Sequence, residues 1–314
     1  MIVTLTLNPS LDRTVEVPAL VRGDVIRASS GRLDPGGKGV NVARALLANG
    51  VDACAVLPAG GAVGRQLVEL LQAEGVLMSA VPVAGATRSN LTISEPDGTV
   101  TKINEEGESL TAAEIDQLAA TVIRLVGPGD WAVLSGSLPP GVGAGVYARL
   151  TELFVASGIE VALDTSGPAL VQAARGGPTV VKPNREELAQ ALGRDVHTIG
   201  DAVEAAQVLR ESGARSVLAS LGPDGAALVD QDGVLFGESA VTEPRSTVGA
   251  GDCLLAGFLA GGATGKDALA TALRWAAAAV ELPGSRVPGP ADIARREAQL
   301  TTDLDRDRAL SRSG

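Results

Sequence analysis

The sequence contains few aromatic side chains: three Phe, two Trp and one Tyr among 314 residues. Without large rings, the core has to be built from Ala, Val, Leu and Ile, which suits helices packed closely on a buried parallel sheet. Hydrophobic residues make up 45% of the chain and charged residues 20%, as in ordinary globular proteins. This length is sufficient for one large α/β domain or two modest ones.

Histidine and cysteine are also scarce. His197 is the only histidine, so neither a multi-histidine metal site nor histidine catalysis is expected. Cys54 and Cys253 lie far apart without CxxC spacing, which predicts a reduced, cytoplasmic setting. The Ala-rich stretch at 268–282 is too short for a membrane span and carries charged residues, so we expect a buried helix there and no membrane partner.

Positive charge is in deficit: 26 Lys and Arg stand against 37 Asp and Glu, a formal net charge of −11. Nucleic-acid binding is therefore not expected, because no basic face is available to neutralise phosphates. The same charge repels an anionic substrate unless basic residues are concentrated locally. Each Lys or Arg beside a glycine-rich loop is for that reason informative.

Strand and helix patterns alternate from residue 111 onward, which predicts a parallel sheet with right-handed crossovers. Two strand groups within 11–33 and 88–104 have no helix between partners, so we expect a small separate sheet that acts as a lid. A lid would exclude water from a phosphoryl-transfer site. We expect one domain over 1–300, with a last helix near 291–299, and a polar tail at 301–314 for which disorder is left open.

The segment STVGAGD, residues 246–252, precedes an apolar helix. Gly249 and Gly251 allow backbone N–H groups to converge at a helix N-terminus, where dipole and unpaired amides stabilise a developing phosphate anion. Asp252, in the first helical turn, is placed to accept a hydroxyl proton. On the residues alone, a glycine-rich turn with Asp252 as a mere N-terminal helix charge explains the segment equally well.

A second glycine-rich segment, DPGGKGVNVA at 34–43, also leads into a helix. Its glycines allow close approach of a ligand to the backbone, and Lys38 adds a point charge for a phosphate. Asn41, one turn on, has donor and acceptor capacity for sugar hydroxyls. The segment is not a Walker A loop, because Gly39 follows Lys38. The alternative is an ordinary strand–helix turn with a solvated lysine.

The segment KPNREE follows a strand at Lys182 and begins a helix. Asn184 and Glu187 lie on one helix face, where an amide and a carboxylate can hold Mg²⁺ through water. Read alone, this pattern is more often plain helix capping.

Weaker candidates stand on loops and lid strands, and for each of them a structural turn is the alternative. Asp12 follows the first strand, where α/β sites form, and suits a sugar diol. Arg88 and Asn90 lie on a lid strand, and Arg88 can fork onto a phosphate. The loop SLGPDG at 220–225 can carry nucleotide contacts.

In this order, the motifs resemble the signature regions of the ribokinase-like, or PfkB, carbohydrate kinases, over residues 6 to about 289. The resemblance implies a ribokinase-like α/β fold, with a mostly parallel central sheet flanked by helices and a small β-sheet lid. It also implies ATP and Mg²⁺ as cofactors and, through the lid, a homodimer.

The resemblance further implies a role for each candidate residue. The base is Asp252, and the anion hole is made of Gly249, Ala250 and Gly251. The Mg–ATP side comprises Lys182, Asn184 and Glu187, with Ser220, Gly222 and Gly225 in the nucleotide loop. The sugar phosphate is assigned Asp12, Gly37, Lys38, Asn41, Arg88 and Asn90.

Within the family, the chain is most similar to the phosphosugar branch. Lys38 with TRSN at 87–90 resembles most the members that phosphorylate fructose 1-phosphate, so the resemblance implies this acceptor and fructose 1,6-bisphosphate as product. Tagatose 6-phosphate and fructose 6-phosphate are the alternatives, since INEEG at 103–107 carries two acidic residues where a less charged loop is usual. A non-catalytic sugar-phosphate sensor is a distant alternative, and a dehydrogenase is disfavoured because Leu254 stands where a third glycine is expected.

Overall fold

The computed structural model describes residues 1–311. Its strands are β1 (Ile2–Leu5), β2 (Ser10–Glu16), β3 (Ser30–Gly36), β4 (Ala53–Ala59), β5 (Met78–Pro82), β6 (Arg88–Ser94), β7 (Val100–Asn104), β8 (Trp131–Ser135), β9 (Glu160–Asp164), β10 (Val180–Val181), β11 (Ser216–Ser220), β12 (Ala226–Asp230), β13 (Gly233–Glu238) and β14 (Gln299–Thr301). Its helices are α1 (Lys38–Ala48), α2 (Gly61–Ala73), α3 (Ala112–Leu125), α4 (Val146–Ala156), α5 (Pro168–Ala174), α6 (Arg185–Leu192), α7 (Ile199–Glu211), α8 (Ala250–Ala260), α9 (Gly265–Val280) and α10 (Pro290–Ile293).

The main sheet has ten strands in the order β14-β13-β12-β11-β10-β9-β8-β1-β4-β5. The strands from β11 to β5 run parallel, whereas β12, β13 and β14 continue the sheet as antiparallel neighbours. This arrangement confirms the expected mostly parallel sheet flanked by helices. It also places the carboxyl ends of β1, β8, β9, β10 and β11 along one edge, where sites of α/β proteins form.

Successive side chains of β1 point to opposite faces of the sheet, as its period of two requires. Ile2 belongs to the core cluster on the face covered by α1, α8 and α9, while Val3 belongs to the cluster on the face covered by α3 to α7. Both faces are covered, which explains why the strand is an uninterrupted apolar run. Within residues 1–311, no helix has both the length and the apolar character needed to cross a bilayer.

The lid is a separate four-stranded sheet in the order β3-β2-β6-β7, as expected. Its register places Ser10 opposite both Gly36 and Arg88, and Asp12 opposite Asn90. Because β3 ends at Gly36 and α1 begins at Lys38, the lid connects directly to the second glycine-rich segment.

Three expectations were wrong or incomplete. The helix near 291–299 stops at Ile293, and Gln299–Thr301 instead extends the main sheet beside β13. The strand β5 was not among the predicted elements. Residues 301–311 do not form a free tail, since Leu310 is buried and the Ser311 N–H donates to Asp224 at 2.7 Å. These pairings are non-local, which no local pattern reveals. The rest of the expected tail, 312–314, lies outside the described residues.

Candidate active site

The N-terminus of α8 is open and uncapped. Gly249 immediately precedes the helix in the left-handed region, with φ 78°, and no side chain caps this end. A side chain at Gly249 would be strained, and the space beside it holds no atom within 4 Å. The Ala250 N–H donates a long hydrogen bond of 3.3 Å to the Thr247 carbonyl. The first N–H groups of a helix have no partner within it, so the Gly251 amide, next to this weak contact, lies where the backbone can receive an anion.

Asp252 lies in the first turn of α8 and is buried. Its Oδ2 accepts a 2.8 Å hydrogen bond from Asn41 Nδ2. Burial, reinforced by the Asp164 carboxylate, raises the pKa of Asp252 to about 7. The hydrogen bond from Asn41 and the charges of Lys182 and Lys38 oppose this rise. The carboxyl group is thereby poised to exchange a proton near neutral pH.

A buried carboxylate that the sequence did not point to lies next to this group. Asp164, fully buried at the end of β9, has Lys38 Nζ 2.8 Å from Oδ1 and Lys182 Nζ 3.1 Å from Oδ2. Burial would raise the pKa of Asp164, but Lys182 and Lys38 hold it below its ordinary value. The only available signal was its position at the carboxyl end of a parallel strand.

Lys38, which was assigned to the sugar phosphate, is therefore ion-paired within the chain. Besides Asp164, its Nζ lies 3.7 Å from Glu187 Oε1. Burial alone would lower the pKa of Lys38, but these two carboxylates outweigh burial and raise it. Lys38 thus lies between the glycine-rich segment of α1 and the predicted nucleotide side.

The pair Asn184 and Glu187 forms a reciprocal cap on α6. Asn184 Oδ1 accepts from the Glu187 N–H at 2.9 Å, and Glu187 Oε2 accepts from the Asn184 N–H at 2.8 Å. The capping alternative is thus confirmed. Glu187 is nevertheless buried, which raises the pKa of its carboxyl, and Oε1 is left facing Lys38.

These oxygens fit Mg²⁺ held through water. The buried Asp164 Oδ2 lies 3.1 Å from Lys182 Nζ, so this carboxylate is already neutralised by lysine, whereas Glu187 Oε1 has only the more distant Lys38 at 3.7 Å. Among residues 1–311, no three His, Cys, Asp or Glu side chains converge into a ready metal cage. Mg²⁺ sites in phosphoryl-transfer enzymes commonly use only one or two carboxylates, with water and substrate phosphates completing the shell. Glu187 is the residue here that is best placed to contribute.

On the lid side, Asp12 Oδ1 accepts from Ser10 Oγ at 2.6 Å and from Asn90 Nδ2 at 2.8 Å. Arg88 donates to the Glu105 carbonyl at 2.8 Å, and burial lowers the pKa of its guanidinium despite the nearby Asp12 and Glu105. Arg88 Nε and Asn90 Oδ1 are buried without a partner. Unsatisfied donors and acceptors of this kind suit a polar ligand.

The predicted nucleotide loop follows β11. Ser220 and Asn184 form an isolated parallel β-bridge through their backbones. The Ser220 Oγ donates to the Pro183 carbonyl at 3.3 Å. Gly222 starts a 3-10 turn at Gly222–Asp224. Gly225 has a packing reason for being glycine, because a Cβ there would lie 2.1 Å from the Gly237 carbonyl oxygen. The loop therefore adjoins the cap of α6.

The predicted residues fall into two groups. In one, Lys38 and Lys182 pair with Asp164, Lys38 also lies near Glu187, and Asn41 donates to Asp252, whose charge Asp164 influences. The other is the lid group, in which Asp12 and Asn90 lie with Arg88. The two groups are connected through the chain at Gly37, which precedes α1. Among residues 1–311, Asn41 is in hydrogen-bond contact with Asp252, whereas Arg88 is not.

Comparisons with known proteins identify the family of the chain. The model of the pfkB family of carbohydrate kinases matches residues 5–292. The chain is 40% identical over 275 residues to a 1-phosphofructokinase of Rhodobacter capsulatus. This match covers 86% of each protein. It is also 39% identical over 260 residues to the ATP-dependent 6-phosphofructokinase isozyme 2 of Escherichia coli. This match covers 81% of this chain and 83% of the relative.

A solved structure extends the similarity to three dimensions. The crystal structure of phosphofructokinase-2 from Escherichia coli in complex with potassium superposes with a TM-score of 0.89 at 35% identity. The match covers 94% of this chain and 97% of that structure. The ribokinase-like arrangement of main sheet and lid is therefore shared over almost the whole chain.

Proposed function

Because this chain belongs to the pfkB family of carbohydrate kinases, we propose that it transfers the γ-phosphate of ATP to the free primary hydroxyl of fructose 1-phosphate. The products are fructose 1,6-bisphosphate and ADP. The observation that carries this proposal is the hydrogen bond from Asn41 to Asp252 at the open N-terminus of α8. It brings a carboxylate, an amide suited to sugar hydroxyls and an anion-binding helix end to one point.

Asp252 receives the proton of the acceptor hydroxyl. The oxygen that loses this proton forms the new bond to phosphorus, and the bond from phosphorus to the β-phosphate oxygen breaks. Asp252 accepts the proton late, because the loose transition state of phosphoryl transfer demands little activation of the nucleophile. The N–H groups of Gly249, Ala250 and Gly251 stabilise the charge on the phosphoryl oxygens.

ATP and Mg²⁺ are assigned to the other side of this point. Glu187 and Asn184 would hold Mg²⁺ through water, and bound Mg²⁺ neutralises phosphate charge. Lys182, which is buried beside Asp164, adds positive charge there. Ser220, Gly222 and Gly225 form the loop assigned to the nucleotide, and its bridge to Asn184 supports that assignment.

The sugar phosphate is assigned to Asp12, Gly37, Lys38, Asn41, Arg88 and Asn90. The unpaired Arg88 Nε and Asn90 Oδ1 support a polar ligand at the lid. Fructose 6-phosphate is the second candidate acceptor, since one relative is named a 6-phosphofructokinase.

A panel of purified-protein assays tests the substrate. ADP release would be measured with fructose 1-phosphate, fructose 6-phosphate and tagatose 6-phosphate at equal concentrations. We expect the highest kcat/KM with fructose 1-phosphate. A higher value with either 6-phosphate would replace the proposed substrate, and absence of ADP release with all three would favour a non-catalytic sensor.

The lid also supports a homodimer. Val25, Val100 and Ile103 on or beside the lid strands are 86%, 51% and 55% exposed. Val100 and Ile103 lie on the edge strand β7, and Val25 lies in the segment before β3, which forms the other edge of the lid. Exposed apolar side chains on a small sheet suit an interface with a second copy. Size-exclusion chromatography with light scattering should give twice the monomer mass, and a monomer at assay concentration would contradict the proposal. A cytoplasmic location stays a prediction from the cysteines.

A further inference from the structure

Arg44 is a buried cation on α1 that the proposed reaction does not use. It lies three residues after Asn41 and is only 7% exposed. Its Nε lies 2.7 Å from Glu74 Oε2 and its Nη2 lies 3.0 Å from Glu74 Oε1. This two-point contact between guanidinium and carboxylate fixes the plane of the Arg44 side chain. Glu74 itself follows the end of α2, so a second helix holds the pair in place.

The remaining nitrogen of Arg44 is directed toward the proposed active site. Its Nη1 lies 3.4 Å from Asn41 Oδ1 and 3.4 Å from the Ser285 carbonyl oxygen. The other end of the Asn41 amide donates from Nδ2 to Asp252. Asn41 therefore lies between a group that only donates hydrogen bonds and a carboxylate that accepts one.

The chemistry of the two neighbours selects one orientation of the amide. A guanidinium has donors and no acceptor, and an ionised carboxylate has acceptors and no donor. If the Asn41 amide turned over, its Nδ2 would face the Arg44 donors and its Oδ1 would face Asp252. Both hydrogen bonds would then be lost, because two donors would face each other at Arg44 and two acceptors would face each other at Asp252.

We propose that Arg44 is a positioning residue that holds the Asn41 amide with its nitrogen toward Asp252. The inference rests on the proposed function, because Asp252 is the base of that reaction. Glu74 acts through Arg44, and Arg44 acts on Asp252 only through Asn41. The Asp252 carboxylate is thereby kept in one place and in its proton-accepting form.

Other charged groups reach Asp252 by different routes. Lys38 on α1, Lys182 after β10 and Asp164 at the end of β9 influence its charge directly. Arg44 instead contacts Asn41, which in turn donates to Asp252. Its effect on turnover should therefore depend on the presence of Asn41, whereas the effects of Lys38 and Lys182 need not.

A double-mutant cycle on the full chain tests this dependence. Arg44→Met removes the donors and retains an apolar side chain of similar length, and Asn41→Ala removes the amide. We expect Arg44→Met to lower kcat about tenfold alone and less than about twofold in the Asn41→Ala background. Between the unaltered protein and Arg44→Met, the KM values for ATP and fructose 1-phosphate should change by a smaller factor than kcat does. Arg65→Met, an exposed arginine on α2, is the matched control.

An equal loss of kcat in both backgrounds would overturn the proposal, because a merely structural arginine does not need Asn41. An unchanged kcat in Arg44→Met would overturn it as well. If Arg44→Met fails to fold by circular dichroism, the same cycle with Glu74→Gln decides between these results. Failure of the proposed function is seen separately, as absence of ADP release by the unaltered protein.

Discussion

Asn41 Nδ2 donates a 2.8 Å hydrogen bond to Asp252 Oδ2 and so joins two glycine-rich segments that lie 211 positions apart in the chain. Each residue stands in the first part of a helix, α1 and α8, and these helices pack on the same face of the main sheet. The contact explains why two motifs that are each ambiguous on their own become informative together.

The pH dependence of turnover should report the carboxyl of Asp252. Burial and Asp164 raise its pKa to about 7, and a base must be deprotonated to accept a proton. Because this pKa is that of the protein without substrates, kcat/KM should fall as the pH is lowered through about 7. The substrate phosphate titrates near pH ~6, so its own titration has to be measured and subtracted. A flat profile across this region would contradict the assignment.

The Mg²⁺ requirement should depend on Glu187. Glu187→Gln removes a buried negative charge while its neutral amide preserves size, so we expect the Mg²⁺ concentration for half-maximal rate to rise about tenfold. The neighbouring Glu186 is exposed on the same helix, and Glu186→Gln is the matched control. Titration of Mg²⁺ at fixed ATP measures the effect. Equal curves for both variants would remove Glu187 from the metal side.

A variant of Lys38 distinguishes whether this residue acts on the sugar phosphate or on Mg–ATP. Lys38→Ala is expected mainly to raise the KM for the sugar phosphate, because a cation is lost from the second glycine-rich segment. Its ion pairs with Asp164 and Glu187 offer a different outcome, in which the KM for Mg–ATP rises. Initial rates with each substrate varied in turn distinguish the two. An unchanged sugar-phosphate KM would place Lys38 on the nucleotide side.

The sequence predicted the parts of the fold that local periodicity determines. The alternation of strands and helices and the separate lid sheet were predicted. The strands β5 and β14 were missed, because each is short and lies at an edge of the sheet. Pairing with a distant neighbour, rather than the local pattern, decides the structure of such segments.

In the site, residues with glycine neighbours were easier to identify than isolated ones. Asp252 and Asn41 stand in recognisable segments, whereas Asp164 is a single acid at the end of an apolar strand. Arg44 was missed for another reason. A charged residue in a helix is ordinarily solvated, and only the buried pair with Glu74 reveals its role.

The most direct test of the proposed function replaces the carboxyl group that all of these contacts surround. Asp252→Asn should lower kcat with ATP and fructose 1-phosphate by about three orders of magnitude, while ATP binding measured by calorimetry changes less than about threefold. Asp267→Asn, an exposed acid in the first turn of α9, should leave kcat unaltered. If the Asp252→Asn protein turned over at the rate of the unaltered one, Asp252 would not be the base and the proposed mechanism would be wrong.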